Sequence, residues 1–227
     1  MKRAIGIFFS LLYAATLRSY SQFPEAAKTD QNSAAPTITF ERLWDDFTPQ
    51  SVTITVAANG LAKYGSSNPG KTGDDVDDYL TEFEISPARR EKLFRYAKEA
   101  NYFAGDFTFK KHLVASTGKK TLTYAEAARH VSTSFDYSEN KAIQEITNIF
   151  LGISNTIEHG RKLVFLRRFD KLGLEAELKG MESAMESHNL VELQLIAPTL
   201  ESIVNDSTVL NIARQRAQRL LAKANTQ

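Results

Sequence analysis

Residues 51–64 read SVTITVAANGLAKY, and this stretch decides the fold. Val52, Ile54 and Val56 alternate with Thr53 and Thr55, the pattern of a strand with one buried face. Asn59-Gly60 tolerates positive φ at both central positions of a type I′ turn, so residues 61–64 return antiparallel. A loop rich in Gly, Ser, Pro and Asp is expected over residues 65–78. Tyr79, Thr81, Phe83 and Ile85 then alternate as a third strand. Upstream, Ile38 and Phe40 start an edge strand, while Phe40, Leu43, Trp44 and Phe47 also show helical spacing. On either reading they are core side chains rather than a ligand platform.

Ser86-Pro87 opens a helix, with Ser as N-cap and Pro where a missing N–H costs nothing. Leu93, Phe94, Ala97 and Ala100 form its buried stripe, and Asn101 closes it. Residues 121–124 and 131–137 predict a second hairpin with Val131, Thr133, Phe135 and Tyr137 on one face. From Ser138, read as an N-cap, alternation gives way to helical spacing. Ile143, Ile146, Ile149, Phe150, Ile153 and Ile157 make one stripe, which Gly160 breaks or bends. Leu163, Leu166, Phe169, Leu174 and Leu178 continue it to Gly180. Two further helical stretches cover residues 190–204, interrupted by Pro198, and residues 207–224. The last places Arg214, Arg216, Arg219 and Lys223 toward the end where cations complement the helix dipole. The fold class expected is α+β: an antiparallel sheet packed by helices, followed by a C-terminal all-helical extension.

The chain has 227 residues, 28 Lys and Arg against 27 Asp and Glu, 11 Gly, 6 Pro and no Cys. That composition excludes collagen-like, disulfide-stapled and fully disordered classes. A formal charge of +1 gives no reason to expect a nucleic-acid partner. Without Cys there is no thiolate metal site, iron–sulfur cluster or cysteine nucleophile.

Residues 1–21 carry Lys2, Arg3 and Arg18 but no anion, and residues 4–17 are an apolar run interrupted by Ser10 and Thr16. Ser19 and Ser21 put small residues at the −3 and −1 positions of a cut before Gln22. This is the layout of a secretory signal peptide, too short to span a bilayer comfortably. Residues 22–36 (QFPEAAKTDQNSAAP) read as a flexible linker. The expected organisation is a signal peptide at 1–21, the linker at 22–36, an α+β domain at 37–159 and a helical subdomain at 160–227. The mature chain has no apolar stretch long enough to be a transmembrane segment.

Several motifs match in letters and fail in context. Residues 65–72, GSSNPGKT, fit the phosphate-binding loop pattern, but Gly73-Asp74-Asp75 would repel a phosphate, and the preceding strand belongs to a hairpin. Lys71-Thr72-Gly73, Ser66-Ser67-Asn68 and Ser138-Glu139-Asn140-Lys141 match the short patterns of penicillin-binding proteins in the wrong order. Asp74, Asp75, Asp77 and Asp78 lack calcium-loop spacing. His112, His130, His159 and His188 make no zinc signature. His130 reads as a strand-start residue and His159 as a cap at a helix end. Arg161, Lys162, Arg167 and Arg168, with Lys110-Lys111 and Lys119-Lys120, read as a solvated face with acidic neighbours, Lys171 to Glu175 included, rather than as a lipid or wall-polymer surface. No cofactor-binding or metal-ligating residue is expected, and no catalytic residue is assigned.

Ile38-Thr39-Phe40-Glu41-Arg42, Ser51-Val52-Thr53-Ile54 with Asn59-Gly60, Tyr64 and Gly65, and the helix from Ile85-Ser86 to Asn101-Tyr102-Phe103 resemble a small bacterial domain of unknown function. The resemblance covers residues 37–160. That domain usually carries a cysteine pair before its second strand. Residues 43–50 here contain none, so no thiol role carries over. As a whole, the chain resembles uncharacterised exported bacterial proteins.

The function expected is that of a periplasmic or secreted, non-enzymatic binding or interaction module for an unknown protein or envelope component. The alternatives are an exported hydrolase built on His112 or His130 with nearby carboxylates, and an envelope-surface adaptor using the basic helix face.

Overall fold

The computed structural model describes residues 35–69, 78–111 and 115–224. The signal peptide expected at 1–21, nearly all of the linker, Gly70-Lys71-Thr72, Asp74, Asp75, Asp77 and His112 lie outside the described residues.

Six strands form one antiparallel sheet: β1 (Thr37–Leu43), β2 (Ser51–Ala57), β3 (Leu61–Ser67), β4 (Tyr79–Glu84), β5 (Lys119–Glu126) and β6 (Arg129–Phe135), in the order β4-β3-β2-β1-β5-β6. β1 is therefore central, paired with both β2 and β5, and not the edge strand expected. Alternation reports which face a strand buries but carries no information on whether its two flanks are paired. β3 also runs past Gly65, where a loop was expected, because Ser66 still has Tyr79 opposite it on β4.

The helices are α1 (Pro87–Glu99), α2 (Lys141–Phe169), α3 (Gly173–Glu186), α4 (Ala197–Val204) and α5 (Asn211–Ala224), with 3-10 turns at Asn101–Phe103 and Leu193–Ile196. Ser86 caps α1 as expected. At α2 the cap is Asn140, whose Oδ1 accepts from Ile143 N, whereas Ser138 Oγ accepts from Asn140 N one step earlier. Pro198 lies in the first turn of α4, so it begins a helix rather than interrupting one. The fold is α+β.

One buried cluster joins the inner sheet face (Ile38, Phe40, Ile54, Tyr64, Leu122) to α1 and to α2 as far as Ile157. Phe40 and Phe150 stack at its centre, 5.2 Å between ring centroids. The opposite sheet face carries hydroxyl pairs, such as Thr39 with Thr55 and Thr121 with Ser134. A second cluster joins Leu163 and Leu166 of α2 to α3, α4 and α5. α2 passes through Gly160 unbroken, and position 159/160 lies in its interior. Gly160 is there for proximity: a Cβ would sit 2.4 Å from Ile196 Cγ2. Phe169 leaves the expected stripe and is 65% exposed, because α2 ends there and the chain turns into α3.

Candidate functional site

Strand register decides which side chains meet. Tyr79, Ser66, Val52, Arg42, Lys120 and Phe135 stand in one row across the inner sheet face. The next row inward, Tyr64, Ile54, Phe40 and Leu122, is the core. The outer row is the polar one, and α2 crosses it with Ser154, Glu158 and Arg161.

Glu158 is the hub. Its Oε1 accepts from Tyr64 Oη at 2.6 Å and Ser66 Oγ at 2.9 Å. Arg161 Nη1 donates to Oε2 at 2.9 Å and Oε1 at 3.2 Å, with its guanidinium 4.3 Å above the Tyr79 ring. Burial, then the charge and hydrogen bond of Glu158, push the Tyr64 phenol well above its usual range, so it stays a donor.

At the next residue of α2, His159 Nδ1 lies 2.6 Å from Glu177 Oε1 on α3, and one turn on Lys162 Nζ lies 2.6 Å from Glu177 Oε2. These groups line a cleft of about 780 Å³ between α2 and the β1–β2 loop, with Phe47, Thr48 and Pro49 on one wall and Phe165 on the other. Phe47 and Phe165 are 40% and 58% exposed. Phe47 and Leu43 are thus not core side chains as expected. Leu43 ends β1 on the outward parity of Thr39 and Glu41, and the loop after it carries Phe47 out of the sheet, where it stacks on Trp44 at 5.1 Å.

The chemistry is that of charge already matched. Glu158 is saturated with donors, and Glu177 holds two partners. Glu177 is the one hydrogen-bond partner of His159 among the described residues. The arrangement can orient polar groups of a guest and stack a flat surface on its aromatic walls.

His159 is interior to α2, correcting its reading as a helix-end cap. His130 is exposed on β6 opposite Ala125, and His188 is exposed beyond α3 at φ 58°. Gly65, Ser66 and Ser67 are strand residues, and Asn68 Oδ1 accepts from Gln50 N. No group of three or more metal-ligating side chains occurs among the described residues. Several of the basic residues have acidic partners, Lys110 with Asp106, Lys111 with Glu139 and Arg167 with Asp206, while Arg168 lies over the Phe169 ring. Lys171 pairs with Asp206 rather than with Glu175, because Glu175 is taken by Arg216. Arg216 and Arg219 bridge α5 to Glu182 of α3, a tie between helices rather than a dipole effect.

Sequence reasoning gave Tyr64, Glu158, Glu177 and Arg42 no site role, and read Arg161 and Lys120 as part of a solvated basic face. A signal existed for some of them. Arg42, Ser66 and Lys120 share the inward parity of Phe40, Tyr64 and Leu122, and a charged residue on that parity demands a partner or a role. Compared with protein-family models and with curated proteins, the chain matches none.

Proposed function

We propose that the chain is a non-enzymatic binding module working outside the cytoplasm, and that a component of the cell envelope seats in the cleft between the β1–β2 loop and α2. One observation carries the reading. The ionisable groups of the cleft are committed to each other, while its two aromatic walls stand open. The one ionisable position of the cleft left unengaged among the described residues is the second ring nitrogen of His159, where a general base would have to act. Recognition needs an apolar surface to cover and polar groups fixed in place. The extracytoplasmic setting is supported by the leader-like residues 1–21 alone.

The test is a photo-crosslinking side chain at position 165, with position 80 on β4 as control, in the cell that makes the protein. An adduct specific to 165, reduced by Phe47→Ser, is expected. Equal labelling at both positions, or none at 165, removes the cleft from consideration.

A second reading, an exported hydrolase, draws on the His159–Glu177 contact, since a carboxylate behind an imidazole is how a general base is oriented. Ester hydrolysis by the full chain that disappears in His159→Gln would select it.

A further inference from the structure

Arg42 and Lys120 face each other across β1 and β5 on the inner side of the sheet, 5% and 4% exposed. Two cations side by side and out of water repel one another and lose hydration. Their compensation is uneven. Lys120 Nζ donates to Thr117 O, Thr117 Oγ1, Gly118 O and Asp136 O at 2.8–3.0 Å and lies 3.9 Å from Asp136 Oδ1. Arg42 makes no ion pair within 4 Å among the described residues, and it is the more distant Glu158 charge that favours its cation. Its Nη2 donates to Pro49 O at 3.0 Å, and its guanidinium lies 4.6 Å from the Phe47 ring centroid. Its Nε is buried with no hydrogen-bond partner among the described residues, as are Arg167 Nε and Arg214 Nε, but Arg42 also lines a cavity. A buried donor left unpaired costs free energy that native proteins rarely leave unrecovered.

Both cations line a cavity of about 470 Å³ whose other walls include Trp44, Phe135, Ile143 and Leu151. We propose that this cavity binds a small organic monoanion, its carboxylate accepting from Arg42 Nε–H and its apolar body lying on Trp44, Phe135, Ile143 and Leu151. The head is a carboxylate because the Arg42 guanidinium offers a planar fork of donors, of which one at Nη2 is spent on Pro49 O and the buried Nε–H is not. It is singly charged because two cations stand against one carboxylate, Asp136, which also repels a dianion such as phosphate. The body is apolar where it meets Trp44, Phe135, Ile143 and Leu151, while Asp136, Ser138, Gln144, Thr147 and Asn148 make the rest of the wall polar. The size suits a small molecule, within the ~300–1,000 Å³ of such pockets. This site is separate from the cleft and touches it through the Arg42 contacts to Phe47 and Pro49.

Trp44 is the chain's single tryptophan, so its fluorescence reads this cavity directly. The full chain is titrated with sodium octanoate, 1-octanol and octylammonium chloride, following Trp44 emission and heat. Saturable octanoate binding is expected, at least about tenfold tighter than octanol, with no octylammonium binding. Arg42→Met and Lys120→Met, each checked for native circular dichroism, should erase the preference for octanoate over octanol. Leu151→Trp should block both ligands. Phe165→Ser, in the cleft, should leave octanoate affinity unchanged, which separates failure of this site from failure of the cleft. Equal affinity for octanoate and octanol overturns the proposal. So does the absence of saturable octanoate binding, or octanoate binding that survives both Lys120→Met and Leu151→Trp.

Discussion

His159 and Glu177 join the middle of α2 to α3 through a 2.6 Å contact, and the same 8%-exposed carboxylate also holds Lys162. Burial alone would raise the Glu177 carboxyl. The hydrogen bonds and charges of His159 and Lys162 outweigh it and hold the group below the usual glutamate range. A carboxyl depressed by folding contributes stability above its unfolded value, and that contribution is lost as pH falls through the folded value. Glu177→Gln should therefore cost about 1–3 kcal/mol at neutral pH. It should also flatten the acid limb of stability, read from urea unfolding between neutral pH and about pH 3. An acid limb as steep as that of the wild type would show that this carboxylate does not hold the two helices together.

Gly160→Ala puts a methyl group 2.4 Å from Ile196 Cγ2, so the buried Ile196 side chain of the second core, or the backbone on one side, must shift. The expected loss is about 1–3 kcal/mol. Adding Ile196→Ala should recover part of it, a coupling that a double-mutant cycle measures directly. Strict additivity of the two changes would place the cost elsewhere.

Tyr64→Phe keeps the ring and removes the hydroxyl that serves Glu158. The carboxylate then keeps Ser66 and Arg161 but loses its shortest bond. A drop of about 1–2 kcal/mol is expected in chemical denaturation. Stability equal to wild type would mean that water replaces the phenol without penalty.

Ser86 holds the start of α1 in two ways. Its Oγ accepts from Arg89 N and donates to Glu192 Oε1 at 2.7 Å, while its own N–H reaches Glu192 Oε2 at 2.8 Å. The buried Glu192 carboxylate thus sits at the positive end of α1. Ser86→Ala should cost about 1–2 kcal/mol. Amide exchange in the first turn of α1 should rise more than in α5, and a uniform rise would argue for a global effect only.

Much of the architecture was legible because periodicity is a direct imprint of burial. The hairpin around Asn59-Gly60, the Ser86-Pro87 helix start and the isoleucine stripe of α2 all follow from local rules and occur. The turn, however, is not the type I′ expected: Gly60 N–H bonds Ala57 O, so Ala58 and Asn59 are central, and of the turn residues only Gly60 has a positive φ, 99°. What failed depends on partners distant in sequence. β1 became central because β5 arrives from about eighty residues later. Gly160 looked like a breaker because its reason, Ile196, belongs to another element. The Glu158 hub unites β3 with α2, and no local spacing announces a contact between residues 64 and 158. The inward parity of Arg42 and Lys120 was visible, but their adjacency was not, since register between β1 and β5 is set by tertiary pairing.

Because α2 runs unbroken from the sheet layer to the bundle of α3, α4 and α5, it is the shared spine of both halves. Melting either half would strip one flank of that spine and expose its leucines and isoleucines to water. Partial melting is thereby penalised from both ends, and heat should take the two layers apart in a single cooperative event rather than in two.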